Sequence, residues 1–243
     1  MVRLGSNVPQ LMDLQGKVIA VTGGFGTLGA AVVGAAQAAG AKVAAIDRAP
    51  RPAPADALAR AMLVDGIDLS SLADAEAAIA RVVDQLGRLD ALVNVAGTFR
   101  WEMMEGTPLD TWDLLFTVNL KTAVAASKAA LPHLLKSGDG RIVNVGSATS
   151  GKGAAGMGAY AASKAGVARL TESLAEELED RGVTVNAVLP ATMDTPANRA
   201  DMPSADFTRW VKPEAVASVV VFLLSKHARA VTGALIPVVG RAA

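Results

Sequence analysis

The chain has no cysteine, two histidines and one tyrosine in 243 residues, and is only 4% aromatic. Without cysteine there is no disulfide framework and no thiolate chemistry. His133 and His227 stand far apart in sequence, so no histidine metal site is expected. Neither sign of charge dominates: Lys plus Arg and Asp plus Glu number 23 each, which argues against a polyanion-binding surface and against nucleic acid as a partner. No uninterrupted apolar run reaches the roughly 18 residues of a membrane span, so no membrane partner is expected. Residues 1–12 (MVRLGSNVPQLM) lack the apolar region of a signal peptide and read as a loose extension before one domain over 13–243. A cytoplasmic setting is expected.

Small aliphatic residues are abundant. With 51% apolar residues and few aromatics, the core must be built of Ala, Val, Leu and Ile. Short apolar, β-branched runs at Lys17–Thr22, Lys42–Ile46, Met62–Val64, Asp90–Val95, Gly140–Val145, Val183–Leu189 and Ala234–Val239 read as strands. Helical patterns lie between them: Ala30–Ala39, Leu72–Leu86, Leu109–Lys136 with a break expected near Pro132, Ala159–Asp180 and Pro213–Leu224. Arg48–Ala61 is rich in Pro and Ala and reads as a loop with one short helix. Continuous apolar strands alternating with helices are the pattern of a parallel sheet covered on both faces. The expected fold class is α/β, a doubly wound parallel sheet of about seven strands.

Thr22–Gly29 reads TGGFGTLG between the first strand and the first helix, and Gly24, Gly26 and Gly29 fit a G-x-G-x-x-G spacing. Glycines there permit a tight turn and a close approach of backbone to a pyrophosphate, which rests on the helix N-terminus. An acid, Asp47, follows at the end of the second strand, eighteen residues after Gly29. Its carboxylate would accept from both adenosine ribose hydroxyls and repel a 2′-phosphate, which favours NAD over NADP. Arg48 and Arg51 either reach a phosphate or solvate a loop.

The sole tyrosine, Tyr160, precedes Lys164 by four residues and follows Ser147 by thirteen. If Ala159–Thr171 is helical, phenol and ammonium share one face. A neighbouring cation lowers a phenol's pKa from its usual value of about 10, which suits proton transfer near neutral pH.

Together these residues resemble the short-chain dehydrogenases/reductases, and the likeness runs from about Leu14 to Arg241. It rests on the glycine loop, Asp68-Leu69, Asn94-Val95-Ala96-Gly97, Asn119, Ser147, Tyr160 with Lys164, and Pro190 to Thr195. The resemblance implies a Rossmann-type domain with a hydride-transfer site. Tyr160 would be the general acid/base, Lys164 would lower its pKa and hold the nicotinamide ribose, and Ser147 would bind the substrate oxygen. Asn119 would shape its helix and place a water in a relay to Lys164. The resemblance further implies NAD contacts at Gly23, Phe25, Gly26, Thr27, Leu28, Gly29, Asp47 and Arg48. Asp68 and Leu69 would flank the adenine, Asn94, Ala96 and Gly97 the ribose, and Pro190, Ala191, Thr192 and Thr195 the nicotinamide. It also implies a homodimer or homotetramer paired through the long helices 109–136 and 159–180.

Three positions depart from the family pattern: Thr27 and Ala191 stand where glycine is usual, and Val95 where a second Asn is usual. Loss of a strand-to-strand polar contact is expected at Val95. Substrate contacts are expected from Thr98–Trp101, Ala148–Ala159 and Thr192–Trp210. Phe99, Trp101, Met103 and Met104 could wall a substrate or pack a subunit interface, and Arg100 and Arg199 could hold a carboxylate or stand solvated. Asp194–Trp210 is similar to part of the dihydropteridine reductases. The expected activity is NAD(P)-dependent oxidation of a small alcohol or reduction of a ketone; a dihydropteridine-type reductase and a non-enzymatic dinucleotide-binding regulator are the alternatives.

Overall fold

The computed structural model describes residues 12–53 and 56–240. Of the expected N-terminal extension only Met12 lies within them, where it packs against the core. The strands are β1 (Val18–Thr22), β2 (Lys42–Ile46), β3 (Met62–Val64), β4 (Ala91–Asn94), β5 (Gly140–Val145), β6 (Val183–Pro190) and β7 (Leu235–Val238). They form one parallel sheet in the order 3-2-1-4-5-6-7. The order reverses between β1 and β4, and a crevice at such a switch point, beyond the carboxyl ends of the strands, is where open α/β sheets bind ligands.

Alternation along each strand divides the core. Ile19, Val21, Val43, Val93 and Val143 pack with helices α1 (Thr27–Ala38) and α7 (Pro213–Leu224) on one face. Val18, Ala20, Leu92 and Ile142 pack with α2 (Leu72–Leu86), α4 (Thr122–Ser137) and α5 (Gly158–Leu178) on the other. Each fully buried Val, Leu or Ile contributes about 1.5–3 kcal/mol. Alanines such as Ala36, Ala78, Ala126 and Ala130 let these helices approach the sheet closely.

Leu109–Ser137 is one continuous helical run: α3 (Leu109–Leu115), a π-helical segment Phe116–Lys121, and α4. The expected break near Pro132 does not occur. Pro132 and Lys128, the residue whose carbonyl it leaves without a donor, lie on the exposed side. Buried Ala129, Ala130 and Leu134 hold both halves against the sheet. The irregularity falls instead at Asn119. By length and composition this run of 29 residues could cross a membrane, but half of its most apolar stretch is buried inside the fold, as in a core helix.

Candidate active site

The glycine loop joins β1 to α1. Gly23 has φ +61°, and a Cβ there would lie 2.8 Å from the backbone of Ala96. A Cβ on Gly29 would strike the carbonyl oxygen of Gly23, so the first turn of α1 can pack on the loop only without a side chain. The cap residue Gly26 brings no side chain to the helix end, which leaves the leading amides of α1 facing the crevice. Asp47 steadies the loop: its Oδ2 accepts from the Phe25 amide at 3.0 Å and its Oδ1 from the Ala49 amide at 3.0 Å.

A cleft of about 1040 Å³ runs from this loop across the strand ends. Of the expected cofactor contacts, Gly23, Phe25, Gly26, Thr27, Leu28, Gly29, Asp47, Arg48, Asp68, Leu69, Ala96, Gly97, Tyr160, Lys164, Pro190, Ala191, Thr192 and Thr195 line it. Asn94 does not. It belongs to β4 and turns into the sheet, donating Nδ2 to Ser127 Oγ at 3.1 Å and to Asn144 Oδ1 at 2.9 Å. A polar contact between strands β4 and β5 is therefore present despite Val95. Thr22, which sequence reasoning passed over as the end of a strand, accepts the Val95 and Ala96 amides on its Oγ1 at 3.1 and 3.2 Å. Arg51 is held away from the cleft by Asp65 at 3.1 Å and by the Leu63 carbonyl.

Tyr160 and Lys164 lie in the first turns of α5, and Ser147 follows β5, so all three meet at the far end of the cleft. Lys164 is 5% exposed and donates Nζ to the Val145 carbonyl at 2.8 Å; burial lowers its pKa to about 8. The Tyr160 phenol is raised above its ordinary value by burial, and the nearby Ser147 hydroxyl works against that rise. The lowering of the phenol expected from Lys164 is not among the influences on Tyr160 here, and the ammonium is turned onto the Val145 carbonyl. Ser147 Oγ lies 2.9 Å from Thr149 Oγ1 and accepts the Thr149 amide at 3.2 Å.

Asn119 is buried behind the cleft rather than in its wall. Its Oδ1 accepts the Thr98 amide at 2.7 Å, and its Nδ2 donates to Ser163 Oγ at 2.9 Å. Ser163 Oγ in turn donates to the Tyr160 carbonyl at 2.8 Å. A hydrogen-bonded chain therefore ties the loop after β4 to the π-helical segment and to the turn that carries Tyr160. Ser163 was also missed; the available signal was a small polar residue beside Lys164 on the buried side of the helix.

Phe99 meets the Tyr160 ring edge-on, with centroids 4.9 Å apart and planes at 85°. Trp101 donates Nε1 to the Ala155 carbonyl at 3.1 Å, which docks the loop after β4 on the segment before α5. Met103 and Met104 line a separate cavity of about 250 Å³ beside Trp112. Arg100 Nη1 donates to the Phe99 carbonyl at 2.8 Å. Arg199 forms a two-point pair with Asp194, at 2.5 and 2.9 Å. Thr195 caps α6 (Pro196–Asp201), accepting the Asn198 amide at 3.2 Å.

Comparison with known proteins agrees with this architecture. Residues 17–205 match the family of short chain dehydrogenases. The chain is 35% identical to 2-(S)-hydroxypropyl-CoM dehydrogenase 3 of Xanthobacter autotrophicus, with 93% of this chain and 96% of that one covered. It is also 35% identical to the 3-oxoacyl-(acyl-carrier-protein) reductase FabG of Vibrio harveyi, covering 94% and 98%. Among solved structures, a dehydrogenase/reductase from Sinorhizobium meliloti 1021 superposes with a TM-score of 0.82 at 30% identity, covering 96% and 98%. An NAD+-bound xylitol dehydrogenase gives 0.82 at 25% identity, covering 93% and 98%. With a family match over most of its length, a doubly wound sheet, and a cleft joining a glycine loop to a buried Tyr–Lys pair, the chain belongs to the short-chain dehydrogenase/reductase family of NAD(P)-dependent oxidoreductases.

Proposed function

We propose that this protein transfers a hydride between a nicotinamide dinucleotide and the carbinol or carbonyl carbon of a small alcohol or ketone. The observation that carries the reading is the meeting of Ser147, Tyr160 and Lys164 at one end of a cleft whose other end is the glycine loop and Asp47. The related proteins' names, a hydroxypropyl dehydrogenase and an oxoacyl reductase, fit an alcohol–carbonyl exchange.

The site suits a dinucleotide on its own terms. The open amides of α1 match a pyrophosphate, and the crowding at Gly29 leaves bare backbone where the phosphates must approach. Asp47 presents a carboxylate to the cleft while Arg51 is committed to Asp65, which favours NAD over NADP. When bound, the nicotinamide supplies or accepts the hydride. The protein's part is proton transfer and charge stabilisation. Tyr160 Oη gives its proton to the ketone oxygen in reduction and takes it from the alcohol in oxidation. Ser147 Oγ donates to the same oxygen as charge develops, held in place by Thr149. Lys164, whose pKa burial lowers to about 8, stands one helical turn from Tyr160 and would hold the nicotinamide ribose hydroxyls when the cofactor is bound. Phe99 shields one edge of the phenol from water. Because burial keeps the phenol protonated, reduction proceeds from its resting state, and oxidation should quicken as pH rises.

The test is a panel of ketones and alcohols with each nicotinamide cofactor, read at the nicotinamide absorbance. Turnover that depends on Tyr160 supports the reading; nucleotide affinity with no turnover across the panel would favour a non-enzymatic regulator. We also propose a cytoplasmic homodimer or homotetramer. Leu109, Phe116 and Val124 are exposed apolar residues on the Leu109–Ser137 run, and a monomer by light scattering at micromolar concentration would overturn that assembly.

A further inference from the structure

The substrate end of the cleft has a composition of its own. Phe99 comes from the loop after β4, Met157 from the segment before α5, and Met193 and Met202 from the segment after β6. Three of the polar residues beside them are already engaged. Thr149 Oγ1 sits on Ser147 Oγ, Thr195 Oγ1 caps α6, and Asn198 Nδ2 donates to the Met193 carbonyl at 2.8 Å.

Among the described residues that line the cleft, only Arg48 and Lys164 are cationic. Arg48 follows Asp47 at the nucleotide end, and the Lys164 ammonium is held on the Val145 carbonyl. The four cationic residues of the substrate-side segments, Arg100, Lys152, Arg199 and Arg209, do not line the cleft. Arg199 is paired with Asp194 and stacked 4.8 Å over the Phe207 ring, and Arg100 folds back on the Phe99 carbonyl. The anions lining the cleft, Asp47 and Asp68, are also at the nucleotide end.

We infer that the substrate is an uncharged, apolar ketone or its secondary alcohol, selected by Phe99, Met157, Met193 and Met202; this rests on the hydride-transfer reading of the same cleft. A carboxylate beside the reacting carbon would lose water on entering and gain no cation in return. Three unbranched thioethers in the lining of the cleft adapt to different outlines, so chain length and branching would be discriminated weakly and charge strongly.

The experiment compares neutral and anionic twins of equal length: diacetyl with pyruvate, and acetonylacetone with levulinate. In each pair a methyl ketone replaces a carboxylate. Steady-state reduction with NADH should give the diketone a kcat/KM at least about tenfold above its keto-acid twin. Binding of all four to the enzyme–NAD+ complex is followed by saturation-transfer NMR, which needs no turnover. Keto acids reduced or bound as well as their twins would overturn the inference, and so would an absence of binding by either diketone. Diketones that bind in preference to keto acids but are not reduced would uphold the apolar cleft while overturning the hydride-transfer reading. Met202 is 41% exposed, so Met202→Arg should fold. It should shift the ratio about tenfold toward the keto acids, and an unchanged ratio would remove Met202 from the selecting wall.

Discussion

The two ends of the cleft are built from different material. At the nucleotide end the walls are largely backbone: a glycine turn whose packing leaves no room for a Cβ, the amides opening α1, and one carboxylate fixed by two amide hydrogen bonds. At the substrate end the walls are side chains, among them Phe99, Met157, Met193 and Met202 with several threonines, and Phe99 and Met202 are exposed. Backbone geometry suits what every dinucleotide shares, whereas on the reading proposed above replaceable side chains would decide which carbonyl is accepted. Tyr160, Ser147 and Lys164 stand where the two meet, carried by α5 and the end of β5.

The sharpest way to break this division is Tyr160→Phe. Removing the hydroxyl should lower kcat by about a thousandfold while the dissociation constant for NADH, followed by nicotinamide fluorescence, stays within about threefold. A comparable loss of cofactor affinity would mean that the two ends are not separable. Next comes Gly29→Ala, whose methyl has no space against the Gly23 carbonyl. A loss of about 3 kcal/mol by denaturant unfolding is expected, with weaker nucleotide binding.

Lys164 tests the electrostatics at the junction. Its pKa in the folded protein is about 8 against an ordinary 10.5. Between those values the unfolded chain holds the extra proton, so this group's contribution to stability rises as pH climbs through the window. Below it the buried ammonium costs about 3 kcal/mol. Lys164→Met removes that term. Its unfolding free energy relative to the wild type, in cofactor-free protein, should therefore fall by about 2 kcal/mol from pH 7 to pH 10. Tyr160, raised above its ordinary 10.0, acts in the opposite sense only beyond that range.

Asp47→Ser should change the preference between NAD and NADP by about tenfold, judged from the two dissociation constants, with a smaller effect on turnover of a saturating substrate. Met157→Leu is the mildest change. It conserves volume and apolarity at the substrate end, so kcat/KM for a neutral ketone should move by less than about threefold.

Most of the fold could be read from local signals. β2, β3, β5, α2 and α7 have the boundaries expected from apolar runs and helix stops, because those signals act over a few residues. The long helix spans the expected residues, and only the break at Pro132 fails to occur: proline is a strong local breaker, yet burial of Ala129, Ala130 and Leu134 keeps the helix whole. Asn94 shows the reverse case. Its place at the end of a strand suggested a cofactor contact, but which face a strand residue presents depends on its neighbours, and the pairing with Asn144 and Ser127 takes it into the sheet.

By itself the sequence determined the alternation of strand and helix, the glycine turn with Asp47, and the one-turn spacing of Tyr160 and Lys164, all of which depend on short-range geometry. Only the tertiary structure decided the electrostatic state of that pair. Burial raises the phenol and lowers the ammonium, and the Val145 carbonyl, nineteen residues before Lys164, accepts its hydrogen bond. It also decided that Asn119 is linked by hydrogen bonds through Ser163 to the Tyr160 carbonyl, and that Arg199 pairs with Asp194. Charge and desolvation depend on what surrounds a group in space, and that is settled only once the sheet has brought its strand ends together.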